Sequence, residues 1–488
     1  MKNEGRTGRR RRAAAAAITL TLGVSLLAAC ADGGGESAEH RVLRVGVIAS
    51  GDADEAGQRE AWTDAFELTH PDIEVELVPA VDLDDQRGRE LAGDRSRPDR
   101  FESLKRLLAG PDPVDAVVLD DATYYRQLTR EGLLTPLDPM IKEDGFDLDD
   151  YVPNVVEALR DPDDRNLYAL ASSFNAGGLF VNKSLFAAAG AALPTEASAW
   201  PDVMALAKRI ASGSGDGRIF GLSFDRWNAD PFADARLYAM LLQLKLFDKQ
   251  AWTMTVDTPQ WNRVWTDVAG LYAGRVVPSQ EDLASASATG ADLFMAGRVA
   301  MAVGGYEYLS DLLAAKAYAK DPKLRALDWE VVPLPAFPEN PDIGGGLTLN
   351  GLTAIGEKAR NPQDAWAFVR YNNSLEVSKL GARSTYRMPA RKSLIKPRDG
   401  ASYDPGVFYA RRPVALQADW SELYWATPNL APAYELGGPL LQDAIDGKRT
   451  VAAALAEWQA SGTALMKQIK ANPDAYANDN YFGGGWGG

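Results

Sequence analysis

Val42-Leu43-Arg44-Val45-Gly46-Val47-Ile48 is an apolar run ended by Ser50-Gly51, and it reads as a strand buried on both faces that runs into a loop at its carboxyl end. The next segment has a helical period. Trp62, Ala65 and Phe66 share one face, and Thr69-His70-Pro71-Asp72 stops the helix, because the residue before a proline avoids the helical region. Ile73, Val75 and Leu77 then alternate with Glu74 and Glu76, the period of a half-buried strand. Phe101, Leu104, Leu107 and Leu108 mark a second amphipathic helix closed by Gly110-Pro111, and Asp115-Ala116-Val117-Val118-Leu119-Asp120-Asp121 is another buried strand with carboxylates at its end. This alternation predicts an α/β fold with a parallel sheet covered on both faces, since parallel strands need long crossovers and helices supply them. Ligands in such sheets bind beyond the carboxyl ends of the strands. Asp52 in the first loop, and Asp120 and Asp121 in the second, are therefore the first site candidates; the alternative for the latter two is a helix N-cap.

Outward from this region the pattern changes. From about Ala199 the chain becomes mainly helical, with Val203, Leu206, Ala207 and Ile210 on one face and Trp261, Val264, Trp265, Val268 and Leu271 on another. Strand character returns at Trp329-Glu330-Val331-Val332-Pro333-Leu334, and Asn361-Pro362 begins a further helix with a cap and a first-turn proline. Val451, Leu455, Trp458, Gly462, Leu465 and Ile469 define the clearest helix, one that packs on a core. The chain is expected to end in a flexible tail over 471–488, whose last residues, Gly483 to Gly488, have too little apolar matter to order themselves.

The amino-terminal end reads as an address. Arg9 to Arg12 precede an apolar stretch from Ala13 to Ala29, the layout of a secretory leader. Leu27-Ala28-Ala29-Cys30 resembles the bacterial lipobox, where cleavage before the cysteine precedes attachment of a lipid to its sulfur. Cys30 is the only cysteine in 488 residues, so no disulfide framework exists. The expectation is a leader over 1–29, a lipidated tether over 30–41, and export to the outer face of the cell membrane. The remaining body, about 450 residues, is long enough for two or three cores. The formal net charge of the full chain, −15, repels nucleic acid. Only His40 and His70 occur, which removes His-based triads and His-rich zinc sites; no metal or cofactor is implied.

Several segments, read in order, resemble the extracellular solute-binding family that includes the maltose-binding protein. They are Thr69 to Glu76, Val114 to Val118, Glu131 to Asp138, Leu167 to Ala171 leading into Gly178 to Phe186, Phe294 to Met301 followed by Gly304-Gly305-Tyr306, Pro333-Leu334-Pro335 followed by Gly344-Gly345-Gly346, and Met388 to Arg391. Ala169-Leu170-Ala171 departs from the family's usual proline at the first crossover. The resemblance implies a periplasmic-binding-protein-like α/β fold, two lobes joined by three hinge crossings with a ligand cleft between them. The crossings are expected near Ser172 to Asn175, Ala302 to Gly305 and Gly345 to Thr348. The N-terminal lobe is then 42–172 with 306–344, and the C-terminal lobe 175–303 with 347–470.

The same resemblance implies the solute receptor of an ABC importer, a monomer that closes on a small organic solute and docks on a membrane permease without chemistry. A sugar needs aromatic rings for its C–H faces and polar groups for its hydroxyls. Tyr306, Tyr434 and Trp227 fall where the family carries cleft residues, and a plain core role is the alternative for each. Asn175, Gly345 and Arg387 complete the candidates. Two competing readings remain: a binder of another solute, such as a polyamine, peptide or phosphodiester, on the same fold, and a secreted glycoside hydrolase working through paired carboxylates.

Overall fold

The computed structural model describes residues 40–94, 98–287, 292–345, 347–398, 401–414 and 429–476. The leader, the tether through residue 39 with Cys30, and the tail from 477 onward lie outside the described residues. In chain order the strands are β1 (Arg41–Ser50), β2 (Ile73–Asp82), β3 (Ala116–Leu119), β4 (Ala169–Asn182), β5 (Phe220–Ser223), β6 (Phe247–Asp248), β7 (Thr253–Met254), β8 (Val299–Gly305), β9 (Trp329–Pro333), β10 (Ile343–Gly345), β11 (Leu347–Ile355), β12 (Met388–Pro389) and β13 (Arg412–Pro413).

The Val42–Ile48 run lies inside β1, which pairs in parallel with β2 on one side and β3 on the other. Leu43, Val45 and Val47 are buried, as are all four residues of β3, so both faces are covered as the apolar run requires. The covering helices include Arg100–Ala109, capped by Asp99. The helix expected to end at Thr69 is two short helices, Asp52–Trp62 and Asp64–Thr69, meeting at Thr63.

β4 is the spine of the molecule. Its first part, Ala169–Ala176, runs antiparallel to β11, which continues the sheet through β3. Its second part, from Gly177, pairs instead with β8 and β9, and β5 lies parallel to β8. One strand thus belongs to two half-sheets and changes partners between Ala176 and Gly177. One hydrophobic core contains Val45, Val117, Leu352 and Trp366 and reaches under the second half through Phe180 and Tyr308. The other is built from helices, with Trp261, Trp265, Trp458 and Met466 at its centre. Trp458, on the helix Val451–Ala471, stacks on Trp265 at 5.2 Å, meets Trp261 edge-on at 5.5 Å, and donates from Nε1 to the Ala433 carbonyl. Gly462 on the same helix is required by close approach, because a Cβ there would lie 2.8 Å from Met254.

Two further passages connect the halves. Ile343 packs on the second core and Leu347 on the first, so the chain returns at β10–β11; Tyr409 packs on the first and Val414 on the second, so it leaves again near β13. Asn154 holds that last passage by donating from Nδ2 to the carbonyls of Tyr409 (2.6 Å) and Arg411 (2.7 Å).

The expected crossing at Ala302 to Gly305 is therefore a correction. β8 stays paired with the second part of β4, and the helix after it, Tyr308–Tyr318, is anchored beneath that half by Tyr308, whose ring meets Phe180 at 4.9 Å. Gly304 serves packing rather than hinging, since a Cβ there would press on Phe180 and Tyr308 at 3.0 Å. By strand pairing, β9 runs with the second half and β11 with the first, the reverse of the expected division into 306–344 and 347–470. β11, buried at Leu349 and from Gly351 to Ile355, fills the gap between β3 and β4.

Candidate ligand-binding cavity

β5 and β8 run side by side in parallel, with Ser223, the last residue of β5, opposite Ala302, three residues before the end of β8. The loop after β5 is shaped by Asp225, whose Oδ1 accepts from the backbone N–H groups of Trp227 (2.7 Å) and Asn228 (2.8 Å), while Ser223 Oγ donates to the Asp225 carbonyl (2.6 Å). This is an Asx turn, the local closure that aspartate favours. Asp230 then caps the helix Pro231–Leu241. The loop after β8 turns through Gly304 and Gly305 into Glu307.

Between these loops lies a cavity of ≈ 300 Å³. Trp200, Phe224 and Trp227 supply aromatic walls, Leu237, Leu241 and Leu334 aliphatic ones, and Gly177, Gly304, Gly305 and Gly344 bring backbone to its surface. Asp225, Arg226 and Glu307 are the charged lining residues. Trp200 is 2 % exposed, leans on Phe224 at 5.9 Å, and its Nε1 has no hydrogen-bond partner among the described residues. Trp227 is 48 % exposed.

The charges differ in how far they are committed. Arg226 NH1 donates to Asp311 Oδ2 (3.0 Å) and Asp292 Oδ2 (3.3 Å), and its guanidinium lies 3.7 Å from the centre of the Tyr308 ring. Asp292 is 1 % exposed and also accepts from Tyr308 Oη (2.9 Å) and Met295 N (2.8 Å). Burial first, and the Asp292 charge second, raise the Tyr308 hydroxyl well above its usual pKa. Glu307 is different. A side chain on Gly305 would collide with its carboxylate, which lies back over the end of β8, and among the described residues no hydrogen bond or ion pair engages it.

Trp227 is the one predicted candidate that lines the cavity; Gly345 pairs with Pro413 beside the lining residue Gly344. Asn175 faces Thr348 across β4 and β11, two residues before Gly177, and its Oδ1 is buried without a partner among the described residues. Asp121 is the N-cap of the helix Ala122–Arg130, accepting from Thr123 N. Asp120 is exposed at the end of β3, Asp52 is exposed with its N–H donating to Asp84, and Arg387 is exposed with its N–H donating to Ser384. Two expectations are corrected. Tyr306 is buried, edge-on to Phe408 with Arg398 over its ring at 4.1 Å, and Tyr434 is buried and stacked on Phe232 at 4.6 Å. Neither lines the cavity, because each ring completes a packed aromatic cluster. Sequence reasoning missed Glu307, although it adjoins Tyr306, and Trp200, whose helical position looks like any core tryptophan.

A cavity at the carboxyl ends of parallel strands, on a sheet whose spine serves two halves, is the setting of a two-lobed binding protein. The family model for bacterial extracellular solute-binding proteins matches residues 50–376. The chain belongs to this family. It has the periplasmic-binding-protein-like fold, with two lobes joined at β4, at β10–β11 and near β13. A sugar transporter from Rhizobium etli in an open conformation is 19% identical over 87% of this chain and 99% of its own, with a TM-score of 0.58. The sugar-binding protein MalE from Xanthomonas citri is 15% identical over 88% and 98%, with a TM-score of 0.58. The ABC substrate-binding protein Lmo0181 from Listeria monocytogenes, in complex with cycloalternan, is 19% identical over 88% and 99%, with a TM-score of 0.52. Among the described residues of this solute-binding protein, no helix is long and apolar enough to cross a membrane, and no cluster of His, Cys, Asp and Glu is arranged to hold a metal ion.

Proposed function

We propose that this solute-binding protein is the exported, lipid-anchored receptor of an ABC importer, that it captures a small sugar in the cavity at the ends of β5 and β8, and that it hands the sugar to a membrane permease without chemistry. The observation that carries this reading is the meeting, within ≈ 300 Å³, of three aromatic side chains, two carboxylates and exposed glycine backbone. Aromatic rings match the C–H faces of a pyranose and the polar groups match its hydroxyls. The volume is at the lower end of ordinary ligand pockets, about 300–1,000 Å³, which suits one or two rings. The sugar-binding descriptions of relatives with the same fold point the same way.

Gly177 and Gly344 line the cavity and adjoin the passages between the halves, so an occupant touches the joints as well as the walls. Binding then acts by closure: a solute that contacts both lobes only when they meet shifts a pre-existing equilibrium. Asp52 and Asp120, at the carboxyl ends of β1 and β3, Asn175, whose Oδ1 has no partner among the described residues, and the exposed Arg387 are the groups proposed to reach the solute from the other side; Gly345 belongs to the proposed hinge. The protein works as a monomer without cofactor, anchored through Cys30.

A thermal-shift screen of the full chain in detergent against mono- and oligosaccharides, amines and phosphodiesters tests this, since a solute that binds only the folded state raises the melting point. A sugar is expected to raise it. A screen in which only phosphodiesters or peptides do so, or steady sugar release in a glycosidase assay, overturns the reading.

A further inference from the structure

The charge lining the cavity is one-sided. Its single cation, Arg226, is already matched by Asp292 and Asp311, and it rests on Tyr308. Asp225 spends one carboxylate oxygen on the backbone of its own turn. That leaves the Glu307 carboxylate, packed over Gly305 in the cavity wall and engaged by no cation among the described residues.

A neutral ring closing over Glu307 strips water from an anion and returns only hydroxyl hydrogen bonds. A buried charge left without a counter-charge is costly. An ammonium group removes that cost, because a charge-assisted hydrogen bond is about twice as strong as a neutral one. The aromatic walls add to the preference, since cations are attracted to the faces of tryptophan rings. The net charge of −15 draws cations from a distance.

From this we infer that the solute is an amine-bearing sugar, a pyranose or short oligosaccharide whose protonated amine pairs with Glu307 while its ring lies among Trp200, Phe224 and Trp227. This rests on the cavity being the solute site. It narrows the substrate class from sugars at large to cationic ones.

The test compares sugars that differ at one position. Calorimetric titration of the full chain in detergent would use glucosamine, glucose and N-acetylglucosamine, together with the β1,4-linked glucosamine dimer and cellobiose. The free amines are expected to bind at least about ten-fold more tightly than their hydroxyl and acetylated partners, the scale of one desolvated charge pair. Glu307→Gln should bring that ratio to about one. Added salt should weaken binding of the amines and spare the neutral sugars, a readout that needs no variant. Tighter or equal binding of the neutral sugars overturns the inference and leaves the sugar-receptor reading standing, and so does a preference that survives both Glu307→Gln and salt. If no sugar of either series binds, both fall together.

Discussion

Asp234 offers a way to test how the floor of the cavity is held. It lies on the helix Pro231–Leu241, which supplies Leu237 and Leu241 to the lining, it is 8 % exposed, and Tyr272 Oη donates to its Oδ2 at 2.6 Å. Burial pushes its carboxyl up from 3.8 to about 7; the Asp230 and Asp225 charges push the same way, and the Tyr272 hydrogen bond opposes them. The folded protein therefore holds a proton that the unfolded chain has already lost between about pH 4 and pH 7, and stability must fall as pH rises through that window. At about 1.4 kcal/mol per pK unit, a displacement of about three units sets an upper bound of about 4 kcal/mol. Urea unfolding of the wild type and of Asp234→Asn, followed from acid to neutral pH, isolates this contribution, because the effect of the overall acidic charge is common to both. The wild type should lose several kcal/mol more than the variant across the window. Parallel stability curves would refute the claim that Asp234 is folded as the neutral acid.

Three other outcomes follow from the geometry. Trp227→Ala, at a ring that is half exposed in the cavity wall, should weaken sugar affinity by about 1–3 kcal/mol in calorimetry and leave the melting point of the free protein nearly unchanged. Tyr434→Ala should do the opposite, lowering folding stability by about 3–5 kcal/mol through loss of the stack on Phe232, and a stable variant with abolished binding would return this ring to the site. Cys30→Ser should release the protein from the membrane fraction into the soluble one on cell fractionation, and continued membrane attachment would remove the lipid anchor on this cysteine from the proposal.

The class of fold was legible in the chain because it depends on local pattern. The apolar run in β1, the alternation in β2 and the four-three spacing of the final helix each survive folding, since each reports which face must leave water. In the final helix the reading slipped by one residue, with Met466 rather than Leu465 in the core. The site was less legible. Asp120 and Asp121 are adjacent in sequence, yet one is exposed and the other caps a helix. Tyr306 and Glu307 are adjacent too, yet the ring is in the core and the carboxylate lines the cavity. Composition cannot separate such neighbours, because what divides them is the direction in which each side chain leaves the backbone.

By itself, the sequence determined that strands and helices alternate around apolar cores, that the body is acidic and nearly free of histidine, and which family it resembles. Only the tertiary structure decided that β4 serves two half-sheets, that Gly304 is a packing position and β8 is not a crossing, and that Trp200, Trp227 and Glu307, drawn from three segments, share one cavity. The reason is physical: the hydrophobic period of a segment is set by its nearest neighbours in the chain, whereas the partner of a strand and the surroundings of a carboxylate are set by groups from other segments, as with β4 and β8 or Glu307 and Trp200.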